Sequence, residues 1–374
     1  MKLTISKSEL QRGLGRIQSI VEKRNSMPIL SNVRLEAVKG KSGAELKLAA
    51  TDLEVGIHST HEAKVAKAGG VTVAARKLHE IVRELPDEEI ELATTDNNYL
   101  EVKCARSQFT LAGTAVEEYP TLPGASPKKL VPMQAVVLSQ MIERTMYATC
   151  ADETRYNLNG VYVEVLPDVG KLRMVATDGH RLACVDRAIA EGLEDLPAGI
   201  IIPRKGLAEL KRLVDEDDAD EIELGFEGNS GLVRKGDVTL AMRLIEGEFP
   251  NYRQVIPKEP GRRLSVAAEP FTRALRRVHL LSSQQSHSVK LEVKEGQVAI
   301  STRNPDLGEA REEIDVDYAG EEMEIGFNAR YLIDALQALG AKEVNLGLQD
   351  NLSPVQVRPA DDDESLAVVM PMRL

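Results

Sequence analysis

A short Thr-Asp element recurs along this chain at a near-constant interval. It reads Leu48-Ala49-Ala50-Thr51-Asp52-Leu53-Glu54 first, Val175-Ala176-Thr177-Asp178-Gly179-His180-Arg181-Leu182 next, and Ile300-Ser301-Thr302-Arg303-Asn304-Pro305-Asp306-Leu307 last. Thr51 to Thr177 is 126 residues and Thr177 to Thr302 is 125. Self-similarity at a fixed period means one structural unit written three times. Other markers keep the same step: Arg76 and Arg204 lie 128 apart, and Tyr119-Pro120 and Phe249-Pro250 lie 130 apart. The 374 residues therefore divide into three domains, 1–125, 126–256 and 257–374, each long enough to bury its own core. Leu122 to Pro127 and the stretch from Pro257 to Gly261 read as the linkers. Only the middle copy continues as Gly-His-Arg-Leu, so the middle domain is expected to hold something the others lack.

Each repeat reads as a strand, an amphipathic helix, short strands, a second helix, more strands and a proline. The expected class is α+β, with two helices packed on antiparallel sheets in each domain. The first helix is expected from about Ser8, as cap, to Arg24, with Leu10, Leu14, Ile17 and Val21 on one face. The second runs from Arg76 to Leu85 before Pro86. Repeat two is expected to open with a strand near Ala135 to Leu138 and a helix capped by Ser139. In repeat three Pro270 is placed at the first helical position, Asn328 as an N-cap and Gly340 as a C-terminal stop. The acidic run Asp361-Asp362-Asp363-Glu364 reads as a solvated hairpin tip.

The net charge of -12 argues against a nucleic-acid binder when taken alone. The absence of Trp also removes the best stacking platform for single-stranded bases. The distribution of charge changes the picture. The six expected helical spans carry sixteen Lys and Arg against seven Asp and Glu, a net +9, so the rest of the chain holds -21. A basic helical layer suits the backbone of a polyanion without reading its sequence. No apolar run approaches a membrane span, and Met1 to Ser6 lacks a signal-peptide stretch, so a cytoplasmic protein with no membrane partner is expected. Cys104, Cys150 and Cys184 form no C-x-x-C pair. Buried thiols are expected, with no metal site, disulfide or cofactor.

Asp178, His180 and Arg181 could do acid–base chemistry, so a hydrolase or transferase stands as one reading. Against it, no G-x-S-x-G and no phosphate-binding glycine loop is present. The Thr-Asp pair also recurs in repeat one without the His, which favours a turn role for Asp178. A scaffold that binds proteins but never DNA is a third reading.

Four stretches carry a resemblance that covers the whole chain. They are Met27-Pro28-Ile29-Leu30, Ala176 to Leu182, Gly247-Glu248-Phe249-Pro250-Asn251-Tyr252, and Val368-Val369-Met370-Pro371-Met372-Arg373-Leu374. With them the chain resembles the bacterial sliding-clamp family, the beta subunits of DNA polymerase III. The resemblance implies a head-to-tail homodimer, a closed ring of six domains with helices lining the hole around duplex DNA. Its implied partners are a second copy of itself, the polymerase III catalytic subunit, an ATP-driven clamp loader, and other proteins with the clamp-binding motif (repair polymerases, ligase, mismatch repair). It is implied to be a processivity subunit with no catalytic site of its own. By the same resemblance Phe109 and Leu111 match one side of the self-contact, and Leu280 and Leu281 the other. DNA contacts fall on Arg24, Arg76, Tyr156 and Asn157, the last standing where an aromatic is common. A partner-peptide pocket, for segments of roughly Gln-Leu-x-Leu-Phe, falls on Leu158, Thr177, Gly179, His180, Arg181, Leu182, Pro250, Val255, Asn328, Tyr331, Val368, Met370, Pro371, Met372 and Arg373. Gln254 stands where an Arg is common, which makes the rim less basic.

Overall fold

Every α-helix in the described chain starts where a strand stops, with no loop between them. The structure is a computed structural model that describes residues 1–21, 27–40, 43–124, 127, 129–216, 220–258 and 261–373. Among these residues there are six α-helices: α1 Lys7–Ile17, α2 Ala75–Glu84, α3 Ala135–Met146, α4 Arg204–Val214, α5 Ala268–His279 and α6 Ala329–Leu339. The strands that feed them end at Ser6, Ala74, Gln134, Pro203, Ala267 and Asn328. Two of these junctions are capped by the last strand residue. Ser6 Oγ accepts from the Glu9 amide and Asn328 Oδ1 from the Arg330 amide, each satisfying a donor that the first turn leaves orphaned.

Several local expectations change accordingly. Ser6, not Ser8, caps α1. Ala135 to Leu138 open α3 rather than forming a strand, so Ser139 sits inside a helix. Pro270 is the third residue of α5, still within the turn whose amides need no intrahelical partner. Gly340 ends α6 at φ 63° as the sequence suggests. The first helix stops at Ile17, and Arg24 lies outside the described residues.

The chain forms two compact units, Met1–Val136 with Ala208–Leu244, and Val137–Leu207 with Ile245–Leu374. The first contains a five-stranded and a nine-stranded sheet, the second an eight-stranded and a four-stranded sheet. All neighbouring strands pair antiparallel, as the alternating patterns suggest. The large sheet of each unit is built by joining two repeats. In the first unit Val55–Glu62 pairs with Val238–Arg243, with Val55 opposite Met242. In the second, Arg181–Ala188 pairs with Ser365–Val369, with Arg181 opposite Val369. Joining edges this way leaves no unpaired backbone at the junction. The apolar helix faces cover these sheets. Leu10, Leu14 and Ile17 of α1 are fully buried, as are Phe271, Ala274 and Leu275 of α5. Fully burying one such side chain is worth about 1.5–3 kcal/mol.

The acidic run is not a solvated tip throughout. Asp362 accepts from Arg187 at 2.8 Å, from Ser365 Oγ at 2.8 Å and from Arg144 of α3. Burial alone would raise its pKa, but the bonds from Ser365, the Glu364 amide and Arg144 outweigh that and hold it at about 2. Cys104, Cys150 and Cys184 are buried free thiols. Burial pushes Cys184 up to about 12, which leaves it inert at neutral pH.

Candidate partner-peptide site

The middle Thr-Asp element is a turn closed by its own side chains. Thr177 Oγ1 donates to the Arg181 carbonyl at 2.7 Å and accepts from the Gly179 amide at 3.1 Å. Asp178 Oδ1 accepts from the amides of His180 and Arg181 at 2.9 and 3.0 Å. Gly179 takes φ 90°, a conformation open to glycine at little cost. Repeat one has the same turn bond for bond. Thr51 Oγ1 donates to the Val55 carbonyl at 2.9 Å, and Asp52 Oδ1 accepts from the amides of Glu54 and Val55 at 2.9 and 2.7 Å. The aspartate is therefore a turn-former in both copies, and the acid–base reading loses its aspartate.

What differs is the surroundings of the turn. Arg181 donates from Nε to Asp178 at 3.0 Å and from a terminal nitrogen to Asp334 of α6 at 2.6 Å. Its guanidinium lies 4.7 Å from the ring centre of Tyr331 and 5.4 Å from that of Tyr147, both favourable cation–π placements. Burial raises the Tyr147 hydroxyl well above its ordinary range. His180 lies nearly parallel to Tyr331, with centroids 6.1 Å apart. Arg155 donates to the Asp178 carbonyl at 3.2 Å. Arg181 thus joins the turn, α6 and two aromatic rings, with Asp178 and Asp334 both engaged.

The C-terminal stretch is laid against this turn. Met370 N donates to the His180 carbonyl at 2.9 Å, and Met372 N to the Gly326 carbonyl at 2.8 Å. Val368 lies opposite Leu182 in the sheet, and both are buried with Val175, Cys184, Leu366 and Tyr252. Leu158 is buried too. These three support the site from behind and present little surface. Met370, Pro371 and Met372 are half-buried, while Pro250, Val255 and Arg373 are exposed. Apolar surface of this kind, rimmed by polar groups, suits a short apolar peptide. Tyr252 anchors the segment between Pro250 and Val255. Its hydroxyl meets buried Glu164 and accepts from Arg173 at 3.2 Å, and Arg253 donates to Glu164 at 2.7 Å.

The other expected residues lie elsewhere. Tyr156 is exposed, whereas Asn157 donates to the Glu248 carbonyl at 3.0 Å. Arg76 is half-buried and donates to the Val21 carbonyl at 3.2 Å, tying α2 to the turn that follows α1. Much of the helical positive charge is locally paired, as in Arg12–Glu9, Arg212–Glu209, Arg273–Glu269 and Arg277–Glu312. Among the described residues, Arg204, Arg276 and Arg330 are exposed helix cations with no ion pair. Phe109 and Leu111 lie on Ser107–Leu111, an edge strand of the five-stranded sheet. Leu280 follows α5 and is 76% exposed, with Leu281 half-buried beside it. Sequence reasoning missed Tyr147, Asp334, Arg155 and Glu164; Glu164 and Asp334 left a signal as acids within otherwise apolar elements, while Tyr147 and Arg155 left none.

Residues 1–123, 133–251 and 253–373 match the N-terminal, central and C-terminal domain families of the DNA polymerase III beta subunit. The chain is 37% identical over 378 residues to the beta sliding clamp of Caulobacter vibrioides, and 34% identical over 380 residues to that of Escherichia coli. Both matches cover all of each chain. A sliding clamp (DNA polymerase III subunit beta) from Bartonella birtlesii, solved bound to griselimycin, superposes with a TM-score of 0.94 at 35% identity, again over the full length of both chains. Three clamp-type domains of helices on antiparallel sheets place the molecule in the class of DNA sliding clamps. Within that class, the chain belongs to the beta sliding clamp family, the clamp subunit of DNA polymerase III, and its part in replication follows from that membership. No helix among the described residues is long and apolar enough to cross a membrane.

Proposed function

We propose that two copies of this chain close head-to-tail into a ring around duplex DNA and hold the replicative polymerase there. Full-length membership of the clamp family carries this reading, and two free sheet edges support it. Ser107–Leu111 is one edge, and Gly308–Asp315 is an edge of the four-stranded sheet. Exposed edge strands invite pairing, and one edge of each kind per chain gives two identical contacts that leave no open end. Phe109, Leu111, Leu280 and Leu281 supply apolar contact beside them. The domains taken to form the ring are 1–125, 126–256 and 257–374. Arg204, Arg276 and Arg330, with Tyr156, Asn157 and Arg76, are the side chains assigned to DNA; weak, sequence-blind contacts of this kind permit sliding. Arg24 belongs to the same assignment by resemblance.

The turn at Thr177–Leu182 with Pro250, Val255, Asn328, Tyr331 and Met370–Arg373 takes the apolar tails of partners. These include the polymerase catalytic subunit, the clamp loader and other proteins with the same motif. A partner so tethered rebinds the primer end as an intramolecular event, so its processivity comes from effective concentration. The chain acts as a processivity factor in the cytoplasm, where its DNA lies, and contributes position rather than chemistry. Retention on circular DNA that is lost when the circle is cut tests the reading.

A further inference from the structure

The junction that forms the candidate peptide site is built twice in this chain. Met370 N donates to the His180 carbonyl at 2.9 Å; Arg243 N donates to the Glu54 carbonyl at 2.8 Å. Leu182 pairs with Val368, and Gly56 pairs with Ala241. Gly179 at φ 90° corresponds to Leu53 at φ 81°. The segment after Phe249-Pro250 corresponds to the segment after Tyr119-Pro120. In the first unit these parts enclose a recess of about 380 Å³, lined by Leu53, Leu122, Pro123, Asn229, Ser230 and Arg243 among others. Its floor is close-packed, since a Cβ on Gly56 would lie 2.9 Å from Pro123 and 3.1 Å from Leu122.

Two features give the recess a chemistry of its own. Leu53 holds a backbone conformation that is costly for a bulky side chain, and it remains 38% exposed at the mouth. Arg243 stands where the other junction has Met370. Its side chain is exposed and forms no ion pair among the described residues, with Glu54 or any other acid. In a chain of net charge -12, an unpaired arginine beside exposed Leu53 and half-buried Leu122 suits an apolar residue next to a carboxylate.

We propose that this recess is a second, weaker peptide-docking site, specific for a short extended partner segment that places one apolar side chain against Leu53 and Leu122 and a carboxylate on Arg243. The inference rests on the first junction's being the peptide site.

The probe is acetyl-Gln-Leu-Asp-Leu-Phe with a free C-terminal carboxylate, titrated calorimetrically into the full chain. The expected result is two classes of site, one of each per chain, the second about tenfold or more weaker. Arg243→Glu removes the second class and leaves the first. Leu53→Gly, which relaxes the turn and opens the mouth, changes the second class alone. Deleting Met370 to Leu374 removes the first class and leaves the second. A single class lost on that deletion would keep the first site and overturn the second. Binding insensitive to both the deletion and Arg243→Glu would overturn both.

Discussion

The Met370 amide donates to the His180 carbonyl at 2.9 Å. That bond extends the pairing of Arg181 with Val369 by one step and carries the C-terminal residues past the Thr177 turn. It makes the chain end part of the candidate site's wall. Deleting Met370 to Leu374 is therefore expected to weaken binding of a Gln-Leu-Asp-Leu-Phe peptide about 100-fold or more at the main site, while self-association is unchanged. Fluorescence anisotropy and sedimentation equilibrium measure the two effects separately. Undiminished peptide affinity would remove the stretch from the site.

Arg181 serves two carboxylates and two rings at once. A lysine offers one compact charge and cannot span Asp178 and Asp334 together. Arg181→Lys is expected to weaken peptide binding by about 1–2 kcal/mol, because Tyr331 and His180 lose their shared support. Arg181→Ala should lower the Tm as well, since it leaves Asp178 and Asp334 without their cation. Peptide titration beside a thermal melt distinguishes the two substitutions.

Asp362 gives the fold a defined acid response. Its carboxyl is held at about 2, below the ordinary value near 3.9 for an unfolded chain. A depressed carboxylate contributes stability that is fully present above the unfolded value and lost as pH falls through the folded one. The contribution therefore disappears between about pH 4 and pH 2. Asp362→Asn should cost about 1–3 kcal/mol at neutral pH, because Arg144 and Arg187 lose their shared anion. It should also flatten the stability profile across that acid window. Denaturant unfolding at stepped pH reads both.

Leu280 is the most exposed of the large apolar side chains described, and it sits at the end of α5 beside the proposed self-contact. At that proposed contact a charge would meet apolar surface, and the few anchor residues of an interface cost about 2 kcal/mol or more when lost. Leu280→Asp is expected to weaken dimerisation about thirtyfold or more and to leave the Tm of the isolated chain nearly unchanged. Sedimentation velocity across a dilution series checks it, and unaltered dimers would move the contact elsewhere.

The repeat, the helices and most strands were legible in the sequence because their signals are local. Leu10, Leu14 and Ile17 recur at helical spacing, Asn328 and Gly340 punctuate α6, and the Thr-Asp turn closes on its own backbone. What escaped is long-range. Asp334 lies 153 residues from Arg181, and Asp362 lies 218 from Arg144, so neither pairing leaves a mark near either partner. The run from Asp361 to Glu364 looked solvated because its countercharges are on other elements. The strand expected at Ala135 failed for a different reason: a β-branched pair, Val136-Val137, suits a strand, but the helix that follows Gln134 directly takes it over.

Retention on a nicked circular plasmid, with clamp loader and ATP supplied, tests the ring most directly when it is measured before and after the circle is cut. The account predicts a chain that stays on the circle through moderate salt and is lost once the DNA is linear, because topology rather than affinity holds it. Equal retention on both forms, or retention on neither, would contradict it.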